Sequence, residues 1–228
     1  GQFRAKQLVA GGVKLSDINV SVNSKDGNVT IAPNAKLYQG KLDGQIVYQE
    51  QADQVQLRVK QNMDLVQLGE LLTDADITNQ LRGIGALDVD VNITERAGKQ
   101  SNQGVIKLLA SNGAVSGIDM IGLLSKANTV ANLLSKGNTQ QADAQADSGV
   151  QSKPSDVTKF GELIGTFVLN DFQLKNDDLK LVAPGLVVTG FGTVDLASQT
   201  LDYNLRVAVQ EGIDGAVGVQ LAKLQGYT

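Results

Sequence analysis

Thr-Leu-Asp-Tyr-Asn-Leu-Arg-Val-Ala-Val, residues 200–209, alternates polar and apolar side chains almost without a break. The same alternation returns at residues 18–23, 42–48, 54–60 and 87–94. Because successive side chains of a β-strand point to opposite faces of a sheet, each stretch predicts a strand with one apolar and one polar side. The sequence therefore predicts a large sheet that has one apolar face.

The composition excludes several classes of function. Histidine and cysteine are both absent, which removes Ser-His-Asp and Cys-His nucleophilic chemistry, zinc–thiolate sites and disulfides. The formal net charge of −4 argues against nucleic-acid binding, which needs concentrated lysine and arginine. We expect a protein with no catalytic residues, no cofactor and no metal. A chain of 228 residues is long enough to bury a substantial core in one domain.

Turn signals divide the predicted strands. Asp26-Gly27 and Asn112-Gly113 are both typical of two-residue hairpin turns. Two further breaks are predicted at Pro33-Asn34 and Gln39-Gly40. Later strands are predicted at residues 158–170, 178–182 and 186–196.

Three segments have helical periodicity. Asp64 is a candidate N-cap for a short helix with leucines at positions 65, 68, 71 and 72. Residues 118–135 form the longest helical stripe, and residues 213–224 form a weaker one that glycines interrupt. Residues 138–156 are rich in Gln, Ala, Asp and Ser, which predicts a mobile polar loop.

The predicted sheet is larger than the predicted helices can cover. About ten strands of some eight residues give an apolar face of roughly 1,200 Å2, whereas two helices cover only about 500 Å2. We expect a mainly β fold with a few helices: a large curved antiparallel sheet, an open half-barrel or groove, partly covered by two or three helices. The remaining apolar face can fold on itself as a sandwich or barrel, pair with another subunit, or hold apolar ligands.

Three motifs have a structural interpretation that we favour over a chemical one. Gly190-Phe191-Gly192 is similar to part of a dinucleotide-binding turn, but the strand alternation continues through it, which favours a bent strand or close backbone approach. Asp88 and Asp90 share a strand face and could form an acid–base pair or a calcium site, yet a solvated polar face is favoured. Asn176-Asp177-Asp178 is typical of a turn.

Several short motifs follow one another in an order that is itself informative. They are Leu37-Tyr38-Gln39-Gly40, residues 81–87, residues 112–119, residues 158–163, residues 176–196 and Thr200-Leu201-Asp202-Tyr203. This succession resembles the C-terminal region of the AsmA family, and the variable polar loop at 138–156 fits the same pattern. On this resemblance, residues 1–228 are a single AsmA-like C-terminal domain fragment.

The resemblance implies a periplasmic domain of a Gram-negative envelope protein. Such proteins are tethered to the inner membrane by an N-terminal helix, which we expect this fragment to lack. The family is similar to bridge-like lipid-transfer proteins, whose curved sheets form grooves lined with aliphatic side chains. It is associated with outer-membrane biogenesis and with phospholipid movement, and it implies no catalytic site.

The residues and the resemblance together predict a non-enzymatic module. It binds phospholipid acyl chains in an aliphatic β-groove and contributes to lipid movement and outer-membrane homeostasis. Burial of acyl chains gains about 0.8 kcal/mol per CH2 without directional partners. The expected partners are phospholipid or another acyl-chain ligand, envelope proteins and the inner membrane, but not nucleic acid. The alternatives are a protein-interaction scaffold that assists outer-membrane protein assembly and, much less favoured, an enzyme that uses Asp88 and Asp90.

The predicted lipid-binding residues are the apolar sides of four predicted strands, and the sequence does not separate groove from core among them. They are Val55, Leu57, Val59, Leu87, Val89, Val91, Ile93, Leu186, Val188, Leu201, Tyr203, Leu205 and Val207.

Overall fold

The fold is an antiparallel sheet in which each strand pairs with its neighbours in the chain. A computed structural model describes the backbone of residues 1–117, 157–210 and 216–227, and the side chains as far as Ala208. Twelve strands follow one another in sheet order as in chain order, so β1 and β12 are the two edges of an open meander. The strands are β1 (Gln2–Ala10), β2 (Val13–Lys25), β3 (Asn28–Leu37), β4 (Gly40–Gln51), β5 (Gln54–Gln67), β6 (Leu81–Arg96), β7 (Lys99–Ser116), β8 (Val157–Asn170), β9 (Gln173–Ala183), β10 (Leu186–Asp195), β11 (Thr200–Gln210) and β12 (Ala216–Tyr227).

The predicted mainly β class, with one large open antiparallel sheet, is confirmed. The predicted curvature of the sheet stays a prediction. The turn predicted at Asp26-Gly27 is present and joins β2 to β3 with φ angles of 52° and 78°. The break predicted at Gln39-Gly40 lies one residue earlier, because Tyr38 and Gln39 join β3 to β4 with φ angles of 43° and 70° and Gly40 begins β4. Positive φ at both central residues is the signature of the turn type that matches the twist of a hairpin.

Three predicted turns lie inside strands, and those predictions were wrong. Pro33-Asn34 belongs to β3, where proline has no N–H to donate and the pairing with β4 skips a step. Asn112 belongs to β7 and adopts a φ of 49° within a strand that continues to Ser116. Asn176–Asp178 belongs to β9, which carries one extra residue there relative to both neighbouring strands. Turn-forming residues also suit β-bulges, because a bulge needs the same unusual backbone angles.

One helix is present among the described residues, α1 (Leu68–Asp74). The predicted start at Asp64 was wrong: Asp64 pairs with Lys41 in the β4–β5 ladder, and Leu65 is 62% exposed. Strand pairing therefore persists until a bulge at Leu65, where φ is 56°, and α1 begins without a side-chain cap.

The predicted helix at residues 213–224 was also wrong, because β12 (Ala216–Tyr227) pairs with β11 along its whole length. Apolar residues at 217, 219 and 221 fit strand alternation as well as helical spacing, and pairing with β11 satisfies the backbone hydrogen bonds. The predicted helix at 118–135 and the predicted loop at 138–156 lie outside the described residues. The expected two or three helices are thus not confirmed.

The helix α1 packs on one face of the sheet, chiefly on β6, and the buried residues lie on that same face. Leu68 is fully buried and fills the space above Gly85, where an added Cβ would lie 2.5 Å from a Leu68 methyl group. The larger buried cluster extends from Leu68 across the sheet to β11, and its members are Leu68, Ala110, Phe160, Leu163, Leu181, Ala183, Leu186, Val188 and Val207. A smaller cluster of Leu37, Val66 and Leu71 lies on the β3–β5 side.

The C-terminal end of α1 is fixed to the turn-bearing ends of β2 and β3. The carboxylate of Asp74 accepts a 2.6 Å hydrogen bond from the Tyr38 hydroxyl and lies 2.7 Å from Nζ of Lys14. The Tyr38 hydroxyl in turn accepts a 3.1 Å bond from the backbone N–H of Lys14. These contacts place α1 at one end of the strands and leave the middle of the same face clear of this helix.

Candidate functional site

The register of the sheet aligns one apolar row across ten strands. From β2 to β11, the cross-strand partners are Val22, Ile31, Ile46, Val59, Val91, Gly104, Leu169, Leu174, Val194 and Leu201. Apart from Gly104, every member is aliphatic. Neighbouring strands lie about 4.8 Å apart, so the nine intervals span about 43 Å. We call this set the apolar row.

Every member of the apolar row is half-buried, in contrast to the fully buried cluster beside α1. Toward the opposite strand ends the same face becomes polar. Val55 there lies between Glu50 and Glu95, its cross-strand partners on β4 and β6, and both carboxylates are exposed. A packed core therefore lies on one side of the apolar row, and across β4 to β6 two charged side chains lie beyond its other side.

All of the predicted lipid-binding residues lie on this one face of the sheet. The structure sorts them into two groups. Leu186, Val188, Tyr203 and Val207 are buried and belong to the packed part of the face. The other nine are half-buried: Val55, Leu57, Val59, Leu87, Val89, Val91, Ile93, Leu201 and Leu205. Of these nine, Leu87 and Leu205 pack against the larger buried cluster.

Sequence reasoning missed most of the apolar row. Val59, Val91 and Leu201 were among the predicted residues, whereas the remaining aliphatic members were not: Val22, Ile31, Ile46, Leu169, Leu174 and Val194. The alternation at residues 18–23 and 42–48 correctly predicted which side of each of these strands is apolar. Only the register, however, identifies which positions on different strands are neighbours.

A buried polar network interrupts the packed part of the apolar face. The Tyr203 hydroxyl donates a 2.5 Å hydrogen bond to Oδ1 of Asn176, which is 1% exposed. Nδ2 of Asn176 donates to the Thr166 carbonyl at 3.0 Å and to a carboxylate oxygen of Asp178 at 2.7 Å. Burial raises the pKa of Tyr203 well above its usual range, so its hydroxyl stays protonated. Each group in the network therefore has a partner, and the network is suited to holding the strands together.

The Asp178 carboxylate completes this network at the extra residue of β9. Burial acts to raise the pKa of Asp178, but hydrogen bonds from the backbone of Thr166 and from Asn176 outweigh it and lower that pKa. The N–H of Thr166 lies 2.7 Å from the carboxylate. The bulge of β9 is therefore held by an ionised side chain that reaches back to β8.

The opposite face of the sheet is polar along β1 to β6. On it, Arg58 donates two hydrogen bonds to the two carboxylate oxygens of Asp90, at 3.2 and 3.1 Å, and Lys60 lies 3.3 Å from the same carboxylate. The Arg58 hydrogen bond, opposed by burial, lowers the pKa of Asp90. Asp90 is therefore an ionised member of an ion-pair network, which is a poor state for a general acid.

A family model described as the AsmA family matches residues 2–206. This chain belongs to the AsmA family. The match confirms the resemblance in the sequence motifs and includes every residue of the apolar row. No curated protein and no solved structure matches the chain.

Proteins of the AsmA family are envelope-associated, and membership indicates an envelope-related function. Within the described ranges, this AsmA-family chain has no helix of sufficient length and hydrophobicity to cross a membrane. Over the same residues, no three acidic side chains come together in a way that could hold a metal ion.

Proposed function

We propose that this AsmA-family chain is a non-enzymatic envelope-biogenesis module that binds phospholipid acyl chains along the apolar row. In this role it contributes to lipid movement and outer-membrane homeostasis. The observation that supports the proposal is the alignment of half-buried aliphatic side chains on ten successive strands, over about 43 Å. Contiguous apolar surface on a soluble protein is typical of a ligand-binding groove or an interaction site.

The dimensions of the apolar row suit acyl chains. The hydrocarbon core of a bilayer is about 30 Å thick and contains two leaflets, so one acyl chain extends about 15 Å. The row is long enough for two or three chains end to end. Each buried CH2 contributes about 0.8 kcal/mol without a directional bond. A wall of Val, Ile and Leu therefore retains a chain while leaving it free to slide along the row.

The charged border gives the bound lipid an orientation. Glu50 and Glu95 mark the side of the face where headgroups would stay in water, and the core beside α1 closes the other side. We further propose that the domain lies in the periplasm of a Gram-negative cell and that the full-length protein is tethered to the inner membrane. Its partners would then be phospholipids, that membrane and other envelope proteins.

A non-enzymatic role is supported by the state of the carboxylates that an enzyme would use. Asp90 is neutralised by Arg58 and Lys60 on the polar face. It lies on the opposite side of the sheet from the apolar row, because Asp90 and Val91 are adjacent in one strand.

The experiment is native mass spectrometry of the domain purified without detergent, followed by lipid extraction. We expect bound phospholipid at a defined stoichiometry for the wild type. Val91→Asp, in the centre of the apolar row, should remove the lipid, whereas Ser101→Asp adds the same charge to the exposed polar face and should leave it bound. Bare protein in every sample, with no uptake when phospholipid is offered, would contradict the proposal.

A second candidate function, a scaffold for outer-membrane protein assembly, is supported by the edge strand β1. All of its residues except Ala5 are exposed, so an extended segment of another protein could add to the sheet there. Bare protein in the lipid experiment, together with capture of an unfolded outer-membrane protein by the domain, would favour this scaffold.

A further inference from the structure

The polar face has a transverse row of its own, on the side of the sheet away from the apolar row. Six successive strands, β1 to β6, place Arg4, Asn19, Asn34, Asp43, Asn62 and Asp88 in direct cross-strand register. We call this set the polar row. It spans five strand intervals, or about 24 Å.

Shallow clefts follow the polar row from one strand to the next. A cleft of about 340 Å3 over β1 to β3 and one of about 520 Å3 over β3 to β6 share Ala32 and Asn34. A third, of about 760 Å3 over β5 to β8, adjoins the second through the Lys60–Asp90 ion pair. Together the clefts form a shallow, open strip across eight strands.

The charges that line the clefts cancel. Arg4, Arg58 and Lys60 supply three positive charges, and Asp43, Asp88 and Asp90 supply three negative ones. Arg58 and Lys60 are already paired with Asp90. With no net charge along the clefts, a polyanion or a polycation gains no general electrostatic attraction over a neutral ligand there.

Exposed amide groups provide the hydrogen-bonding capacity of the clefts. The side-chain amides of Asn19, Asn34, Asn62, Gln103 and Asn170 are exposed and make no hydrogen bond to another described residue. Each amide offers donors and an acceptor together, which is the pattern that a hydroxyl or an acetamido group satisfies. Gln103 and Asn170 are cross-strand partners and lie beside the apolar pair Val105 and Val168.

We propose that the polar face binds a neutral glycan chain that carries N-acetylated sugars and lies across the strands. The exposed amides bond the sugar hydroxyl and acetamido groups, and Val105 and Val168 contact an acetamido methyl group. This proposal is independent of lipid binding, because it concerns the opposite face of the sheet. A single chain would then contact lipid on one face and envelope glycan on the other.

The experiment is calorimetric titration of the whole 228-residue chain with chitohexaose, a neutral hexamer of N-acetylglucosamine. Gln103→Ala/Asn170→Ala should raise the dissociation constant about tenfold, since it removes two amide partners. Asn23→Ala removes an exposed amide from the same face outside the clefts and should change nothing. Circular dichroism on each variant checks that the fold is retained.

A second measurement tests the mode of binding. Saturation-transfer NMR should give its strongest signal at the acetamido methyl groups of chitohexaose, and anionic hexagalacturonate should not bind. The proposal is overturned if chitohexaose does not bind at millimolar concentration, if hexagalacturonate binds equally well, or if Asn23→Ala weakens binding as much as the double variant.

Discussion

The hydroxyl of Tyr203 on β11 and the amide of Asn176 on β9 are joined across the strand that separates them. Gly192 of β10 is the cross-strand partner of both residues. The 2.5 Å hydrogen bond between them therefore passes over a position that has no side chain. It ties three strands together at the place where β9 carries its extra residue.

Tyr203→Phe removes this hydrogen bond without changing the packing of the ring. We expect a loss of about 1 kcal/mol in the free energy of unfolding, because Oδ1 of Asn176 keeps its bond from the Leu179 N–H. For a chain of this length, the melting temperature should fall by about 2–4 °C. Tyr48→Phe, which loses an exposed bond to Glu50, is the matched control and should melt like the wild type. Equal melting temperatures for Tyr203→Phe and wild type would contradict a stabilising role.

Gly192→Ala tests the close approach that the tyrosine needs. An added Cβ would overlap the Asp202 carbonyl and lie 2.5 Å from the Tyr203 ring, so we expect destabilisation by about 2 kcal/mol or more. Gly161→Ala is the control, because its Cβ would meet only the Val182 carbonyl, at 3.8 Å. That variant should be neutral or more stable by up to about 1 kcal/mol. Urea titrations of both variants provide the measurement, and similar midpoints would rule out the clash.

Leu68→Ala and Leu65→Ala test where α1 begins. Leu68 is fully buried over Gly85, and its truncation should cost about 2–5 kcal/mol. Leu65 is 62% exposed in β5, so its truncation should cost under about 0.5 kcal/mol. A helix that began at Asp64 would make the two costs similar. Denaturant unfolding followed by circular dichroism distinguishes the two cases.

Asp74→Asn tests the anchor of α1 and its dependence on pH. Hydrogen bonds from Lys14 and Tyr38 lower the pKa of Asp74 from its ordinary value of 3.8. A carboxylate with a lowered pKa in the folded state contributes stability that is fully present above its unfolded pKa and is lost as pH falls through its folded pKa. We expect Asp74→Asn to melt below wild type at pH 7, and the difference to vanish in acid well below pH 3.8.

The control for this experiment is Asp17→Asn, which breaks the more exposed ion pair with Lys36 and should change the melting temperature less. A difference between Asp74→Asn and wild type that persists unchanged into acid would mean that the carboxylate charge is not what stabilises the anchor.

Val91→Asp and Val188→Asp test the division of the apolar face. Both valines have the same strand alternation in the sequence, but Val91 is half-buried and Val188 is 1% exposed. We expect Val91→Asp to remain folded and Val188→Asp to unfold, because a buried unpaired carboxylate costs several kcal/mol. Thermal melts of the two variants are sufficient, and unfolding of both would place the apolar row in the core.

The strands and their faces were predictable from the sequence, because alternation has the same period as the backbone of a strand. The close approach at Gly192 was predictable for a related reason: alternation continued through it, which excluded a turn followed by a helix. Register was not predictable. Single left-handed residues such as Leu65, in the β5–β6 ladder, and Asn112, in the β6–β7 ladder, shift the pairing by one position. Nothing in their side chains distinguishes a bulge from a turn.

The sequence likewise did not predict which part of the apolar face is packed core and which part is open surface. Val188 and Val91 differ in what packs above them, which depends on residues distant in the chain. The buried network was missed because Asn176 and Tyr203 are 27 positions apart and become neighbours only through the extra residue of β9. Sequence patterns determine which side of a strand is apolar, whereas tertiary packing determines whether that side is covered.

The strict neighbour-to-neighbour order of the strands makes the length of the domain adjustable. An inserted hairpin would interrupt one pairing, restore it with two new strands, and lengthen both the apolar row and the polar row by about 10 Å. Among the described residues, a hairpin inserted away from α1 and the Tyr203–Asn176 pair would leave the other strand pairings unchanged, since each strand packs chiefly with the two beside it. The number of hairpins therefore sets the width of the sheet in steps of about 10 Å, and a protein of this design can span a given distance between two surfaces.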